Sequence, residues 1–279
     1  MKLNEMKQIL NERDIQLSKS LGQNFLHDEN QLRRIVDAAM LNNSDKVLEI
    51  GPGLGPLTEW LVAYAAEVTA VELDKRMVDF LRERLVAINN LTLIHADALA
   101  HLKQKPRDWS SWKLVANLPY SVASPILVEL SLGGRGPLKM VSTVQLEVAR
   151  RLVARPDTDD YGVLTLLLQL DYTCRLAFRI APSCFFPKPD VDSAVVTLDK
   201  RPLPLLSGPA RAIFVRLVKL GLSQRRKMML KLLKQEWQDE VLAAAFKTAG
   251  VPTDIRAEKV PLEQFVILAR EIANSMASL

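Results

Sequence analysis

The sequence predicts a doubly wound α/β domain over residues 1–200 and a small, basic helical domain over residues 201–279. Three observations carry this. From residue 46 onward, short apolar strand patterns alternate with helical ones, the arrangement of a mostly parallel sheet covered by helices. The first of those strands runs straight into a glycine-rich turn and then a helix. The alternation stops at Arg201-Pro202-Leu203-Pro204, a proline-rich stretch where the charge balance also changes.

Residues 5–17 read as a polar, helical arm, and residues 18–28 as a loop that nonetheless carries Phe25 and Leu26. Something must cover those two side chains. Residues 1–30 therefore form either a cap on the core or a flap whose Asn24 side chain and Leu26 backbone touch a ligand. Asp28 is placed to cap a helix over residues 30–40, where Leu32, Ile35, Val36 and Ala39 recur at helical spacing.

Lys46-Val47-Leu48-Glu49-Ile50 is a buried-strand pattern that enters Gly51-Pro52-Gly53-Leu54-Gly55, and a helix through Trp60, Leu61 and Tyr64 follows. Such a turn lets backbone amides approach a ligand closely. A second strand over residues 67–72 ends on Glu72, 21 positions after Gly51, the spacing at which a carboxylate can grip a ribose diol. A third strand over residues 91–94 leads to Asp97, in reach of the same crevice. The spacing Gly-x-Gly-x-Gly is not that of a dinucleotide fingerprint. It favours an adenosyl ligand without a pyrophosphate, of which S-adenosylmethionine is the common one.

The fourth strand, residues 112–116, ends in Asn117-Leu118-Pro119-Tyr120. Pro119 biases Leu118 toward an extended conformation, so the Leu118 carbonyl stays out of any helix. Asn117 adds a second acceptor and Tyr120 a flat ring. Two acceptors beside a stacking platform suit a planar amine such as that of adenine. A plain strand-to-helix turn explains the tetrapeptide equally well on its own; the glycine turn upstream decides for the ligand.

The pattern continues with a helix over residues 124–132, a strand over 138–144, helices over 145–154 and 161–170, and strands over 174–180 and 194–198. Between the last two strands, Pro187 and Pro189 stiffen a loop and pin Phe186. A rigid aromatic opposite Tyr120 completes a sandwich around a base; the alternative is a ring that plugs the end of the sheet. Four helices follow, over residues 210–222, 225–233, 239–249 and 262–275.

The chain has 279 residues, 48% of them hydrophobic, enough for a large domain and a smaller one. Residues 1–200 hold 24 Lys+Arg against 25 Asp+Glu, and residues 201–279 hold 13 against 7. The whole positive excess thus lies in the second segment, where Arg225, Arg226, Lys227 and Lys231 form a patch at a helix start. Beside a nucleobase-shaped site, such a patch reads as a phosphate contact. Cys174 and Cys184 are the only cysteines, with no Cys-x-x-Cys and no clustered His, so neither a disulfide framework nor a metal site is expected. The N-terminus lacks an apolar signal core, and the longest apolar run, residues 161–170, is too short to span a bilayer. A cytoplasmic protein with no membrane association is expected.

Leu21-Gly22-Gln23-Asn24-Phe25-Leu26, Leu48-Glu49-Ile50-Gly51-Pro52-Gly53-Leu54-Gly55, Val71-Glu72-Leu73-Asp74, Ala96-Asp97-Ala98-Leu99 and Asn117-Leu118-Pro119-Tyr120 stand in an order that resembles the small-subunit ribosomal RNA adenine dimethyltransferases (KsgA type). Phe186-Pro187, Val191-Asp192-Ser193-Ala194-Val195-Val196, Gln224-Arg225-Arg226-Lys227 and Arg256-Ala257-Glu258 are similar to that family as well, and the resemblance covers nearly the whole chain. It implies a Rossmann-like class I S-adenosylmethionine-dependent methyltransferase domain with a small all-helical C-terminal domain. The implied donor contacts are Asn24, Leu26, Gly51, Glu72, Asp97 and Asn117, and the implied catalytic set is Asn117, Leu118, Pro119, Tyr120 and Phe186. The implied reaction places two methyl groups on N6 of each of two adjacent adenines in a hairpin loop near the 3′ end of 16S rRNA, within the small ribosomal subunit. A monomer, acting also as a late small-subunit biogenesis factor, is the expected form. Asp159-Asp160 before Tyr161-Gly162, and Ser121-Val122 after Tyr120, depart from the family's usual pattern. Two rival readings use the same fold: a macrolide-resistance-type methyltransferase of large-subunit rRNA, and a non-catalytic RNA-binding assembly or transcription factor.

Overall fold

Seven strands in the order β4-β3-β2-β5-β6-β9-β7 make the main sheet of the computed structural model, which describes residues 1–17, 22–104 and 107–277. Ser18, Lys19, Ser20 and Leu21, the start of the predicted loop and of the Leu-Gly-Gln-Asn-Phe-Leu run, lie outside the described residues. The strands are β2 (Lys46–Ile50), β3 (Glu67–Glu72), β4 (Leu91–His95), β5 (Trp112–Asn117), β6 (Lys139–Gln145), β7 (Tyr172–Ile180) and β9 (Ser193–Lys200). β4, β3, β2, β5 and β6 run parallel, and β9 runs antiparallel to β6. The strand order therefore reverses between β2 and β5. In open α/β sheets a ligand crevice forms at that reversal, beyond the carboxyl ends of the strands.

The central parallel strands β2, β3, β5 and β6 are largely buried because their sequences are apolar on both faces, as strands covered by helices require. The edge strands β4 and β7 are part-exposed. On one face α2 (Glu29–Ala39) contributes Leu32, Ile35, Val36 and Ala39, which pack with Val47, Val115, Val141 and Val195 from the sheet and Leu61 from α3 (Thr58–Tyr64). Asp28 caps α2 as expected, accepting the Gln31 amide at 3.0 Å. A second cluster joins Met6, Leu10 and Ile15 to Phe25, Leu54 of the glycine turn, and Met77, Phe80 and Leu81 of α4 (Lys75–Arg84). The N-terminal arm is thus α1 (Leu3–Glu12), a helix with one apolar face buried and not a wholly polar extension.

Two short strands stand apart from the main sheet. β1 (Phe25–Leu26) pairs antiparallel with β8 (Phe185–Phe186), placing Phe25 opposite Phe186 and Leu26 opposite Phe185. Three further helices, α5 (Ala98–Gln104), α6 (Ala123–Ser131) and α7 (Leu146–Leu152), follow β4, β5 and β6.

By their internal contacts, residues 1–149 with 173–200 form one unit, and residues 150–172 with 201–279 form another. Residues 150–172 were expected within the first domain. They group with the helical unit because their polar groups are satisfied there. The Tyr161 hydroxyl donates to the Val260 carbonyl at 2.9 Å, Arg201 donates its amide to the Asp171 carbonyl at 2.7 Å, and Arg211 grips the Asp171 carboxylate at 2.7 and 2.5 Å. Besides α8 (Val163–Gln169), this unit contains α9 (Gly208–Gly221), α10 (Met229–Leu233), α11 (Asp239–Ala249) and α12 (Leu262–Ala277), with Phe214 and Phe265 edge to face at 6.4 Å. The basic run Arg225-Arg226-Lys227 lies on the turn before α10 and not inside a helix. Among the described residues, no helix is long and apolar enough to cross a membrane.

Arg211 and Asp171 are nearly buried at 15% and 6% side-chain exposure, so removing one charge strands the other. Asp171→Asn is expected to destabilise the helical unit by about 3 kcal/mol, measured as a lowered urea midpoint.

Candidate functional site

A cavity of about 170 Å³ opens at the reversal point between β2 and β5. Its floor is the glycine turn. Gly51 takes φ +73°, and a Cβ there would sit 3.1 Å from the Pro119 ring; Gly53 takes φ +58°, and a Cβ there would overlap the Phe25 ring at 2.5 Å. The turn is thus pressed between the Asn-Leu-Pro-Tyr segment and strand β1, in a conformation that glycine alone adopts without strain.

The far wall comes from the ends of β3 and β4. Glu72 is buried, and its two oxygens accept the amides of Gly53 at 3.0 Å and Asp74 at 2.8 Å. Burial pushes the Glu72 carboxyl up, while those two amides favour its charged form. It therefore braces the glycine turn from a position that also lines the cavity. Asp97 lines the cavity and caps α5 by accepting the Ala100 amide at 2.8 Å. Asp74 caps α4 and also receives Gln23 Nε2 at 3.1 Å, tying the N-terminal loop to this wall.

The near wall is the tetrapeptide. Asn117 donates Nδ2 to the Asn24 carbonyl at 2.9 Å. A carbonyl can only accept, so this contact fixes which way the amide faces. Its Oδ1 is buried and, among the described residues, has no hydrogen-bond partner. A buried acceptor left unmade is costly, and the residue that carries it lines the cavity. Tyr120 lines the same space, with its hydroxyl 2.5 Å from Ser193 Oγ. Burial raises the Tyr120 phenol, and the Ser193 contact moderates the shift.

The cavity thus gathers Asn24, Gly51, Glu72 and Asp97 with Asn117, Leu118, Pro119 and Tyr120. Two expected residues fall outside its lining. The Leu26 side chain is packed in the core with α2, which leaves only its main chain near the loop. Phe186 does not face Tyr120 across the cavity; its pairing with Phe25 in the β1–β8 ladder turns it toward α1, where Lys7 Nζ lies 5.3 Å from the ring centroid. Of the four basic residues expected to meet RNA, Arg225 is held by Glu258 at 3.0 Å and by the Asp159 carbonyl at 3.0 Å. Arg226, Lys227 and Lys231 are exposed. Ser193 was not among the expected site residues; nothing in a lone serine signals that it anchors a tyrosine 73 positions away.

A family model for ribosomal RNA adenine dimethylases matches residues 15–274. The chain belongs to that family. It is an enzyme of the dimethyltransferase type, and its fold is the Rossmann-like one of class I S-adenosylmethionine-dependent methyltransferases with a helical C-terminal region. Ribosomal RNA small subunit methyltransferase A of Clostridium botulinum is 38% identical over 261 residues, covering 93% of this chain and 95% of that one. The Streptococcus pneumoniae protein of the same name is 37% identical over 273 residues, covering 94% of each. Among solved structures, a dimethyladenosine transferase from Plasmodium falciparum superposes with a TM-score of 0.73 at 25% identity, covering 88% of this chain and 95% of that one. The 23S rRNA methyltransferase ErmE superposes with a TM-score of 0.69 at 29% identity, covering 89% and 99%.

Beneath the dimethylase cavity lies one more acid. Glu49 is fully buried, accepts the Thr58 hydroxyl at 2.8 Å, and is pushed up to about 8 by burial, with the nearby Glu72 charge adding to the rise. The unfolded chain releases this proton near the ordinary value of 4.5, the folded chain only near about 8. Between those values the fold holds a proton that the unfolded chain has lost, so stability falls as pH rises through the window and levels off above it. Glu49→Gln should flatten that slope and raise Tm at alkaline pH by about 2–4 °C for each kcal/mol relieved, read from melting curves across the window.

Proposed function

We propose that this chain transfers methyl groups from S-adenosylmethionine to N6 of two adjacent adenines in the 3′-terminal hairpin loop of 16S rRNA, leaving N6,N6-dimethyladenosine at each. It does so as a cytoplasmic monomer acting on the small ribosomal subunit late in its assembly. The observation that carries this reading is the free, buried Oδ1 of Asn117, held in place by the Asn24 carbonyl. Relatives at 37–38% identity named for the small subunit, against 29% for the 23S enzyme, favour 16S over 23S rRNA as substrate.

The residues present fit the donor. Gly51 and Gly53 border the cavity with bare backbone, Glu72 offers a carboxylate suited to a ribose diol, and Asp97 and Asn24 border the same cavity. The donor supplies an electrophilic methyl group on a sulfonium. Everything else is positioning by the chain. The amine of adenine is a poor nucleophile because its lone pair is delocalised into the ring. Asn117 Oδ1 and the Leu118 carbonyl accept its two N–H bonds, which favours a pyramidal nitrogen with its lone pair directed at the methyl group. Tyr120 stacks the extruded base. The nitrogen's proton becomes acidic once the new C–N bond forms, so a strong general base is not needed, and His27, His95 and His101 have no assigned role. Holding two groups in a near-attack geometry supplies most of the acceleration.

The reading is tested by offering radiolabelled donor to purified, unmethylated small and large subunits and analysing the nucleosides. Label in N6,N6-dimethyladenosine of the small subunit alone is the expected result. Label in large-subunit RNA would assign the chain to the resistance-type class instead, and binding without label would favour the non-catalytic reading.

Two variants probe the geometry. Asn117→Ala should lower transfer by at least about a hundredfold while weakening donor binding only a few-fold, since the lost interaction belongs to the reacting nitrogen. Ser193→Ala, which frees the Tyr120 hydroxyl, should lower kcat about tenfold with donor affinity unchanged. Equal losses in donor affinity and turnover would show that Ser193 merely supports the fold.

A further inference from the structure

Three buried side-chain atoms have no hydrogen-bond partner among the described residues: Asn117 Oδ1, Ser142 Oγ and Thr143 Oγ1. Two of them belong to neighbours. Asn117, at the end of β5, and Thr143 of β6 are partners in the parallel register, and the Leu118 amide donates to the Thr143 carbonyl at 3.2 Å. Their side chains share one face of the sheet. Val115 and Val141, one pleat earlier in each strand, both pack in the cluster that contains α2, and residues one pleat apart lie on the same side. Ser142, between Val141 and Thr143, points to the opposite face for the same reason.

Neighbouring strands lie about 4.8 Å apart. A hydroxyl on Thr143 therefore reaches the Asn117 amide, directly after rotation about its Cα–Cβ bond or through one water. The two groups are complementary. Asn117 gives Nδ2 to the Asn24 carbonyl, which leaves Oδ1 as a pure acceptor with two lone pairs, and Thr143 has a hydroxyl proton to donate. A valine has nearly the same branched shape and would fill this strand position without the cost of an unmet hydroxyl. We propose that Thr143 is a positioning residue that acts through Asn117. Its hydroxyl donates to one lone pair of Oδ1 and leaves the other for an N–H of the adenine amine, so the amide is held at both ends while the base reacts. The inference rests on the dimethylation reading above.

The test measures methyl transfer to unmethylated small subunits, and donor binding, on variants whose melting curves show them folded. Thr143→Val should lower kcat about tenfold, with KM for the subunits and donor affinity kept within about twofold. Thr143→Ser, which retains the hydroxyl, should recover most of that loss. Ser142→Ala, a change at an equally buried hydroxyl on the other face, should leave transfer unchanged. In an Asn117→Ala background Thr143→Val should cost nothing further, because the group it acts through is gone. The role is overturned by an unchanged kcat in Thr143→Val, by an equal loss in Thr143→Ser or Ser142→Ala, or by the full tenfold loss in the Asn117→Ala background. A fall in donor affinity in step with kcat also overturns it, marking a merely structural residue. If wild type dimethylates small subunits and one of these results appears, the role of Thr143 falls alone. If wild type transfers no methyl group, both readings fall.

Discussion

Everything at the site depends on a turn with no room to spare. Residues 51–55 are squeezed between the Pro119 ring on one side and the Phe25 ring on the other, and Glu72 holds the Gly53 amide from beneath. Because the turn cannot shift, neither can what touches it. Pro119 sits between Leu118 and Tyr120, so the glycine floor also sets the height of the near wall. Phe25 leads into Leu26 and is paired with Phe186, so the same contact positions the β1–β8 ladder. The sheet supplies rigidity behind this arrangement, since β2 and β5 are hydrogen-bonded neighbours whose ends carry the turn and the tetrapeptide.

The rigid frame carries two kinds of electrostatic strain. Glu49 and Glu72 are both buried acids close enough for the charge of one to disfavour ionisation of the other. Glu72 is compensated by two backbone amides and Glu49 only by a hydroxyl. The uncompensated one keeps its proton. The second strain is the bare Oδ1 of Asn117, which an amine bound as proposed would relieve. One is a cost of building the turn, the other a cost that the proposed base contact would recover, and of Glu49 and Asn117 only Asn117 lines the cavity.

Much of this was legible in the residues. β2, β3 and α11 run as the apolar patterns predict, because their boundaries coincide with strong signals: the glycine turn after Ile50, the acid at Glu72, and Gly250 in a left-handed cap after Ala249. Asn24, Gly51, Glu72, Asp97 and Asn117 were picked out by spacing and resemblance, and all five line the cavity. What escaped was tertiary. α5 opens with Asp97 as its cap, and the same acid that drew notice as a ligand group hid its role as a helix start. Residues 150–172 look like one more helix of an α/β pattern, and only long-range partners such as Asp171 with Arg211 and Tyr161 with Val260 place them in the helical unit. Phe186 was legible as a pinned aromatic but not as one turned toward α1, because its direction is set by pairing with Phe25, 161 positions earlier.

The distribution of charge now reads more narrowly than its total suggests. Residues 1–200, which supply the whole cavity lining, carry no positive excess, and residues 201–279, which carry it, do not supply the cavity. Phosphate contacts contribute affinity without sequence information, whereas an unstacked base is recognised by shape, stacking and its edge. Under the proposed function, phosphate attraction would fall mainly to residues 201–279 and base recognition to the cavity. Within the basic run the division goes further: Arg225 is fixed by Glu258 and the Asp159 carbonyl and so organises the turn, while Arg226, Lys227 and Lys231 present their charge to solvent. Arg225 uses two of its five N–H donors in these contacts, which fix its direction and leave the others open to a phosphate. The Asp159 carbonyl that receives Arg225 is a backbone group that any residue would offer, so this contact does not depend on the acids at 159 and 160.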